Sequence, residues 1–272
     1  MTDTPRTESR NPRARGLATA TTREILTLMN DEDGTVPSAV RAALPAIERA
    51  VEAIVAAIAA GGRVRYIGAG TSGRLGVLDA SEAPPTFGVA ADLFHGIVAG
   101  GDGALRAAIE GAEDAAAAGR DDLRAVLAPG DVVVGISASG RAPYVLGALG
   151  AATGIAAATV GLTCVPASAL AVAADIPIVV EVGPEVLAGS SRLKAGTATK
   201  LVLNMLSTAA MIRSGRTKGD LMVDVRATNE KLRARAVGMV RDELGIGDDE
   251  ARARLEASGW NVRRALDPER PG

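Results

Sequence analysis

The 272-residue chain is nearly devoid of the side chains that carry most nucleophilic and metal chemistry, with one cysteine and one histidine. A lone Cys164 excludes an internal disulfide framework and fits a reducing cytoplasm. With His95 as the sole imidazole, set inside an apolar strand candidate, there is no His–Cys cluster for zinc and no basis for a Ser-His-Asp mechanism. Aromatic residues are 2% of the chain against 47% apolar residues, so the core has to be built from Ala, Val, Leu and Ile. A formal net charge of −2 exerts no general pull on nucleic acid or anionic membrane, and no helix-turn-helix or basic DNA-binding segment is evident. Any cation that binds an anion must act locally.

Long uninterrupted hydrophobic runs are also missing. Ala142 to Ala174 holds no charge over 33 residues, long enough to span a bilayer, but Pro143, Gly147, Gly150, Gly154, Gly161 and Pro166 punctuate it. It reads as helix, strand, turn and helix inside a buried α/β core, and the chain as soluble. The first 16 residues are polar and basic, with no apolar stretch behind them as a signal peptide would need, and are expected to form a disordered tail.

What is abundant is glycine, 32 residues, and its most informative cluster lies in Arg63–Val89. Val64–Ile67 is a short apolar strand that breaks into Gly68-Ala69-Gly70-Thr71-Ser72-Gly73, after which a helix is predicted from Arg74 to Ala80. Glu82 follows, against Pro84 and Pro85. Glycines let backbone approach a ligand, a helix N-terminus offers unpaired N–H groups to an anion, and two hydroxyls add donors. The stretch therefore suits a small phosphorylated molecule with a carboxylate nearby. Gly68-x-Gly70-x-x-Gly73 also fits the dinucleotide fingerprint, which requires an acid about 20 residues on. The next strand candidate, Leu93–Val98, runs instead into Ala99-Gly100-Gly101. A phosphosugar suits the Thr71–Ser72 pair better.

Further along, strands are predicted at about 93–98, 131–136, 158–162 and 176–180, alternating with helices. This pattern defines an α/β fold, a doubly wound open parallel sheet of about five strands whose ligands gather at the strand C-terminal ends. N-terminal helices are expected at 22–29 and from Thr35 to about Ala60, the second capped by Thr35, with Asn30–Gly34 between them as a solvated acidic turn. Another helix is expected from about Gly103 to Gly119. Two more hydroxyl-rich turns precede helices: Ser137-Ala138-Ser139-Gly140-Arg141, and Gly189-Ser190-Ser191-Arg192-Leu193-Lys194 ahead of a strongly apolar helix. A helix at about 228–242 and one or two short helices from Glu250 to Leu266, anchored by Trp260, complete the chain. The domain reading is thus a tail (1–16), an α/β domain with its flanking helices (17–244), a small helical C-terminal segment (245–268) and a frayed end (269–272).

The stretches GAGTSGRLGVLDASEAPPTFGV (68–89), EGAED (110–114), DVVVGISASGRAPYV (131–145), GSSRLKAGTATKLVLNMLST (189–208) and DLMVDVRATNEKL (220–232), in this order, resemble the N-acetylmuramic acid 6-phosphate etherase family, as does NDEDGTVP (30–37). The resemblance runs from about Leu17 to Arg235. It implies a sugar isomerase domain in a homodimer whose protomers help complete each other's sites, with no metal or organic cofactor. It also implies cleavage of a D-lactyl ether, yielding N-acetylglucosamine 6-phosphate and D-lactate during recycling of cell-wall sugar.

Matched motif by motif, the resemblance makes Glu82 the acid that protonates departing lactate and Glu113 the base that takes the C2 proton. It assigns Ser137 and Ser139 to the phosphate with the helix start after Gly140. Gly70, Thr71 and Ser72 fall to sugar or phosphate, and Ser191, Arg192 and Lys194 to further binding. Ala142 stands where the family commonly has threonine, and Ala83 where it usually has cysteine. The C-terminal region is shorter by about one helix, and SGWNVRRAL (258–266) resembles the last helix of a ubiquitin-associated-like bundle. A phosphosugar-sensing domain and an aldose–ketose isomerase share such loops. The first has no need of a matched acid and base, and the second releases no lactate.

Overall fold

All of the strand candidates pair with one another. In a computed structural model, which describes residues 8–225, 227 and 229–267, β1 (Val64–Gly68), β2 (Phe94–Val98), β3 (Val132–Ile136), β4 (Ala158–Thr163) and β5 (Ile176–Val179) make one sheet. Its order is β2-β1-β3-β4-β5, with each neighbouring pair parallel. β1 and β3 lie side by side inside the sheet and are buried at every position; β3 is a continuous apolar run, as expected when both faces are covered, and β1 buries Arg65 by pairing it with Asp131. The chain divides into two compact units, Met1–Ser81 with Asp92–Ala210, and Glu82–Ala91 with Met211–Gly272.

In the first unit the charge-free run resolves into α6 (Pro143–Ala152), β4 and α7 (Ala169–Ala173). Among the described residues no helix is long and apolar enough to cross a membrane. The small-residue core lets helices approach closely. A β-carbon on Gly147 would stand 2.1 Å from the Ala116 carbonyl oxygen, and one on Gly119 would stand 1.9 Å from that of Tyr144. These two glycines set α5 (Ala116–Arg124) directly against α6.

Several boundaries differ from expectation for local reasons. The helix expected over 103–119 is two 3-10 turns, Asp102–Leu105 and Ala112–Asp114, followed by α5. Gly111, inside the expected span, has φ +71, which a continuous right-handed helix does not accommodate. The single helix from Thr35 to Ala60 is instead α2 (Val36–Ala42) and α3 (Leu44–Ala59), because Pro45 cannot donate to the ladder across the joint. Thr35 makes no cap, and its hydroxyl donates to the Glu32 carbonyl at 2.7 Å. The preceding helix α1 (Thr22–Asp33) starts from a Thr21–Glu24 capping box and runs into the acidic turn. That turn is not wholly solvated, since Glu32 is buried and paired with Lys194. Residues 8–16, expected to be disordered, are held down by a buried Asn11 and an Arg13 paired to Asp31 and Glu32; residues 1–7 and the end from 268 lie outside the described residues.

The second unit contains α9 (Glu230–Leu244), α10 (Asp248–Ala257) and α11 (Val262–Leu266). Ala236, Val237 and Val240 of α9 pack with Ala251, Leu255, Val262 and Ala265. The helix placed by sequence in the larger domain thus supplies the first member of a three-helix cluster, and the boundary lies well before 245. Trp260 packs at its edge, with the Arg233 guanidinium 4.8 Å from the ring centroid. Gly88 explains why residues 82–91 belong here: at φ +63 its Cα approaches so closely that a β-carbon would lie 2.1 Å from the Asp224 carbonyl oxygen.

Candidate active site

With the order β2-β1-β3-β4-β5, the chain leaves β1 for one edge of the sheet and leaves β3 for the other. Connections diverging from adjacent strands open a crevice at their carboxyl ends. A cavity of about 270 Å³ lies there, lined by Ala69–Ser72 after β1, Ile136–Ser139 with Ala142 after β3, Gly189, Ser191, Glu113 and Glu8.

The first wall is the start of α4 (Gly70–Phe87), which begins four residues earlier than predicted. Close packing of strand end and helix start depends on glycine, since a β-carbon on Gly73 would stand 2.4 Å from the Gly68 carbonyl oxygen. Gly70, at φ +54, turns the chain, and Thr71 and Ser72 are half-buried in the lining. The helix then runs through Pro84 and Pro85 to Phe87 instead of stopping before them. Both prolines sit in its last turn, where the Gly88 N–H donates to the Pro84 carbonyl at 3.0 Å.

The second wall is the turn from β3 into α6. Ser137 Oγ accepts from the Gly140 N–H at 3.1 Å, and Ser139 Oγ accepts from the Arg141 N–H at 3.3 Å. Their oxygens are 3.5 Å apart. One hydroxyl can donate to the other, which leaves the pair one proton for a ligand, and α6 begins without a side-chain cap. Gly140 has φ +65, and a β-carbon there would stand 2.2 Å from Ser168 Oγ, so only glycine closes this turn. Hydroxyl donors beside an uncapped helix start suit a phosphate.

Glu113 enters from the 3-10 turn Ala112–Asp114, exposed on its outer side and facing the cavity. Arg74 ties down the segment leading to it, donating from Nε to the Ala104 carbonyl at 2.8 Å and from Nη2 to that of Ala107 at 3.0 Å. The sequence gives no sign of that role for Arg74.

The third turn contributes only part of what was expected. Gly189 and Ser191 line the cavity, whereas Arg192 is exposed and Lys194 lies elsewhere. The start of α8 (Lys194–Arg213) already has an internal anion: the Glu185 carboxylate accepts from the Lys194 and Ala195 N–H groups, both at 3.0 Å. Burial raises the Glu185 carboxyl above its ordinary value against those donors. The Lys194 ammonium contacts Glu32 at 2.5 Å in a buried pair. Glu82, exposed and more than three turns beyond Gly70 on α4, is not in this cavity's lining either. Glu8, within the segment expected to be a disordered tail, is in the lining. Cys164 is buried, and burial followed by the Glu185 charge pushes its thiol up to about 12, which removes it as a nucleophile. His95 is half-buried in β2, away from the lining.

A parallel sheet with its cleft at the β1–β3 switch point, walled by serine-rich turns, defines a sugar isomerase domain. The chain matches the SIS domain family over residues 112–209 and the glucokinase regulatory protein N-terminal SIS domain over 46–153. Phosphoheptose isomerase GmhA from Neisseria gonorrhoeae superposes with a TM-score of 0.53 at 19% identity, covering 70% of this chain and 98% of that one. An Escherichia coli CFT073 protein in complex with A5P gives 0.52 at 20%, covering 74% and 97%. At these identities the likeness is one of fold. Sequence relatives are much nearer. The N-acetylmuramic acid 6-phosphate etherase of Jannaschia sp. is 54% identical over 260 residues, 95% of this chain and 82% of that protein. N-acetylmuramic acid 6-phosphate etherase 1 of Bacillus licheniformis is 51% identical over 261 residues, 96% and 86%. The chain belongs to the N-acetylmuramic acid 6-phosphate etherase family.

Proposed function

We propose that this protein is a carbon–oxygen lyase that cleaves the D-lactyl ether of N-acetylmuramic acid 6-phosphate, yielding N-acetylglucosamine 6-phosphate and D-lactate. The observation that carries this reading is a free carboxylate, Glu113, sharing one small cavity with the two hydroxyl-rich turns. A sugar phosphate held by Ser137, Ser139 and the start of α6 leaves its other end towards Gly70, Thr71, Ser72 and Ser191. Ring opening gives an aldehyde at C1, which acidifies the hydrogen on C2. Glu113 takes that proton, and the electron pair expels the C3 oxygen as the C2–C3 double bond forms. The lactyl alkoxide leaves with a proton from an acid, assigned to Glu82. Water then adds at C3, losing its proton to the Glu82 carboxylate, while Glu113 returns a proton to C2. The sum is ether plus water. A base and an acid with opposite starting protonation are what the two steps require.

The assignment of the acid to Glu82 rests on the motif match, and a homodimer whose protomers help complete each other's sites is the assembly that goes with it. The enzyme is placed in the cytoplasm, and its flux in recycling of cell-wall amino sugar. Purified protein should release D-lactate from N-acetylmuramic acid 6-phosphate. Replacing Glu113 with Gln should cut that rate about 10²–10⁴-fold, the usual contribution of a general base, and stop C2 hydrogen exchange with D2O. Glu82→Gln should slow lactate release while leaving some exchange. Wild-type exchange in Glu113→Gln would remove the base assignment, and no lactate from the wild type would remove the etherase reading.

A further inference from the structure

The chemistry above leaves unused a carboxylate in the cavity wall, a buried ion pair behind it and the segment joining them. Glu8 lines the cavity, with Oε2 2.9 Å from the place a β-carbon on Gly189 would take. The residues behind it are pinned. Asn11, only 6% exposed, donates from Nδ2 to the Pro184 carbonyl at 3.3 Å and accepts from the Arg13 N–H at 2.9 Å. Arg13 donates to Glu32 Oε1 at 3.0 Å and to Asp31 Oδ2 at 2.9 Å. The other Glu32 oxygen holds the Lys194 ammonium, in a pair whose side chains are 8% and 3% exposed. Pro184 and Lys194 flank the Gly189–Ser191 turn in sequence, so the strap is fastened to both ends of the loop that forms one wall. Glu8 thus has a defined place in the cavity lining, beside Gly189.

A carboxylate only accepts hydrogen bonds, and it repels a phosphate dianion. The Ser137–Gly140 turn in the same lining has the reverse character, with hydroxyls at an uncapped helix start. We propose that Glu8 is a substrate-orienting residue. It accepts hydrogen bonds from hydroxyl or amide N–H groups of the bound phosphosugar, and its charge directs the phosphate to the Ser137–Gly140 turn. This rests on the reading of the cavity as a phosphosugar site and adds to it the polarity of binding. Glu32 and Lys194 act at a distance, by fixing the strap.

Glu8 is exposed on its outer side, so Glu8→Ala should fold normally. The test compares wild type and Glu8→Ala in D-lactate release from N-acetylmuramic acid 6-phosphate, with inorganic phosphate as competing inhibitor. KM should rise roughly tenfold to a hundredfold, as expected for loss of a charged hydrogen-bond partner, while kcat and the phosphate inhibition constant stay within twofold. An unchanged KM overturns the proposal, and so does a parallel rise in KM and the phosphate constant, which would make the strap mere support. If the wild type releases no lactate, the etherase reading fails separately. Glu8 is then judged by calorimetric affinity for N-acetylglucosamine 6-phosphate against phosphate: selective loss of the sugar phosphate supports the proposal, and equal affinities in the two proteins overturn it.

Discussion

The two ends of the same sheet are built from similar polar residues and put them to opposite use. At the amino-terminal end, Asp131 accepts from the Arg63 N–H at 2.9 Å, from Arg65 Nε at 2.9 Å and from the Ala128 N–H at 3.0 Å. Beside it, Asp175 Oδ2 takes the Thr159 N–H and hydroxyl at 2.8 and 2.7 Å, and Thr159 Oγ1 takes the Asp175 N–H at 3.0 Å. Charges and hydroxyls there are consumed within the protein. At the carboxyl end, Ser137 and Ser139 accept from backbone and share one proton between them, leaving the other to give away, and Glu113 faces the cavity. The difference shows where polar groups stabilise the fold and where they are reserved for a ligand. Hydrogen-bond satisfaction separates the two more clearly than residue type does.

That contrast can be broken by substitution. Asp131→Ala strands the buried Arg65 and should cost about 3–5 kcal/mol, read as a fall in the denaturant midpoint. KM for the phosphosugar should stay unchanged in the folded fraction, and a large KM effect would mean that the two ends are coupled. Ser139→Ala should do the reverse. Stability should stay within about 0.5 kcal/mol, whereas phosphosugar KM should rise about tenfold through loss of one donor to an anion. The smallest effect belongs to His95, which pairs in register with Arg65. Burial and then the Arg65 charge hold it below the usual histidine range, with Asp92 pulling the other way. The unfolded chain therefore binds the extra proton first, and His95 should lower stability as pH falls from about 7 through about 6. Thermal melts across that window should show a slope for wild type that is reduced in His95→Gln.

Where the sequence was legible, the signal was local. Short, mainly apolar segments bounded by glycine or polar turns placed all five strands within a residue or two, most plainly β3, whose burial on both faces shows as an unbroken apolar run. The serine- and glycine-rich turns after β1 and β3 were equally plain. Lys194 misleads: a cation beside a hydroxyl-rich helix start looks like an anion site until Glu185, in the preceding loop, and Glu32, distant in sequence, are found to occupy it. Glu8 and Asn11 were hidden for the complementary reason, since a polar segment without periodicity reads as tail unless its partners are known. The amphipathic face of α9 does not say which neighbour it covers, and the structure packs it with α10 and α11.

The amino-acid sequence by itself determined the α/β class, the strand positions, the phosphate-compatible turns and, through its motifs, the family. These follow from backbone preferences and side-chain chemistry acting over a few residues. Tertiary structure alone decided which carboxylates reach the cavity, which cations are already paired, and which helices share a core. Each of those depends on groups far apart in the chain being brought within hydrogen-bond or packing distance, and chain order does not encode that separation.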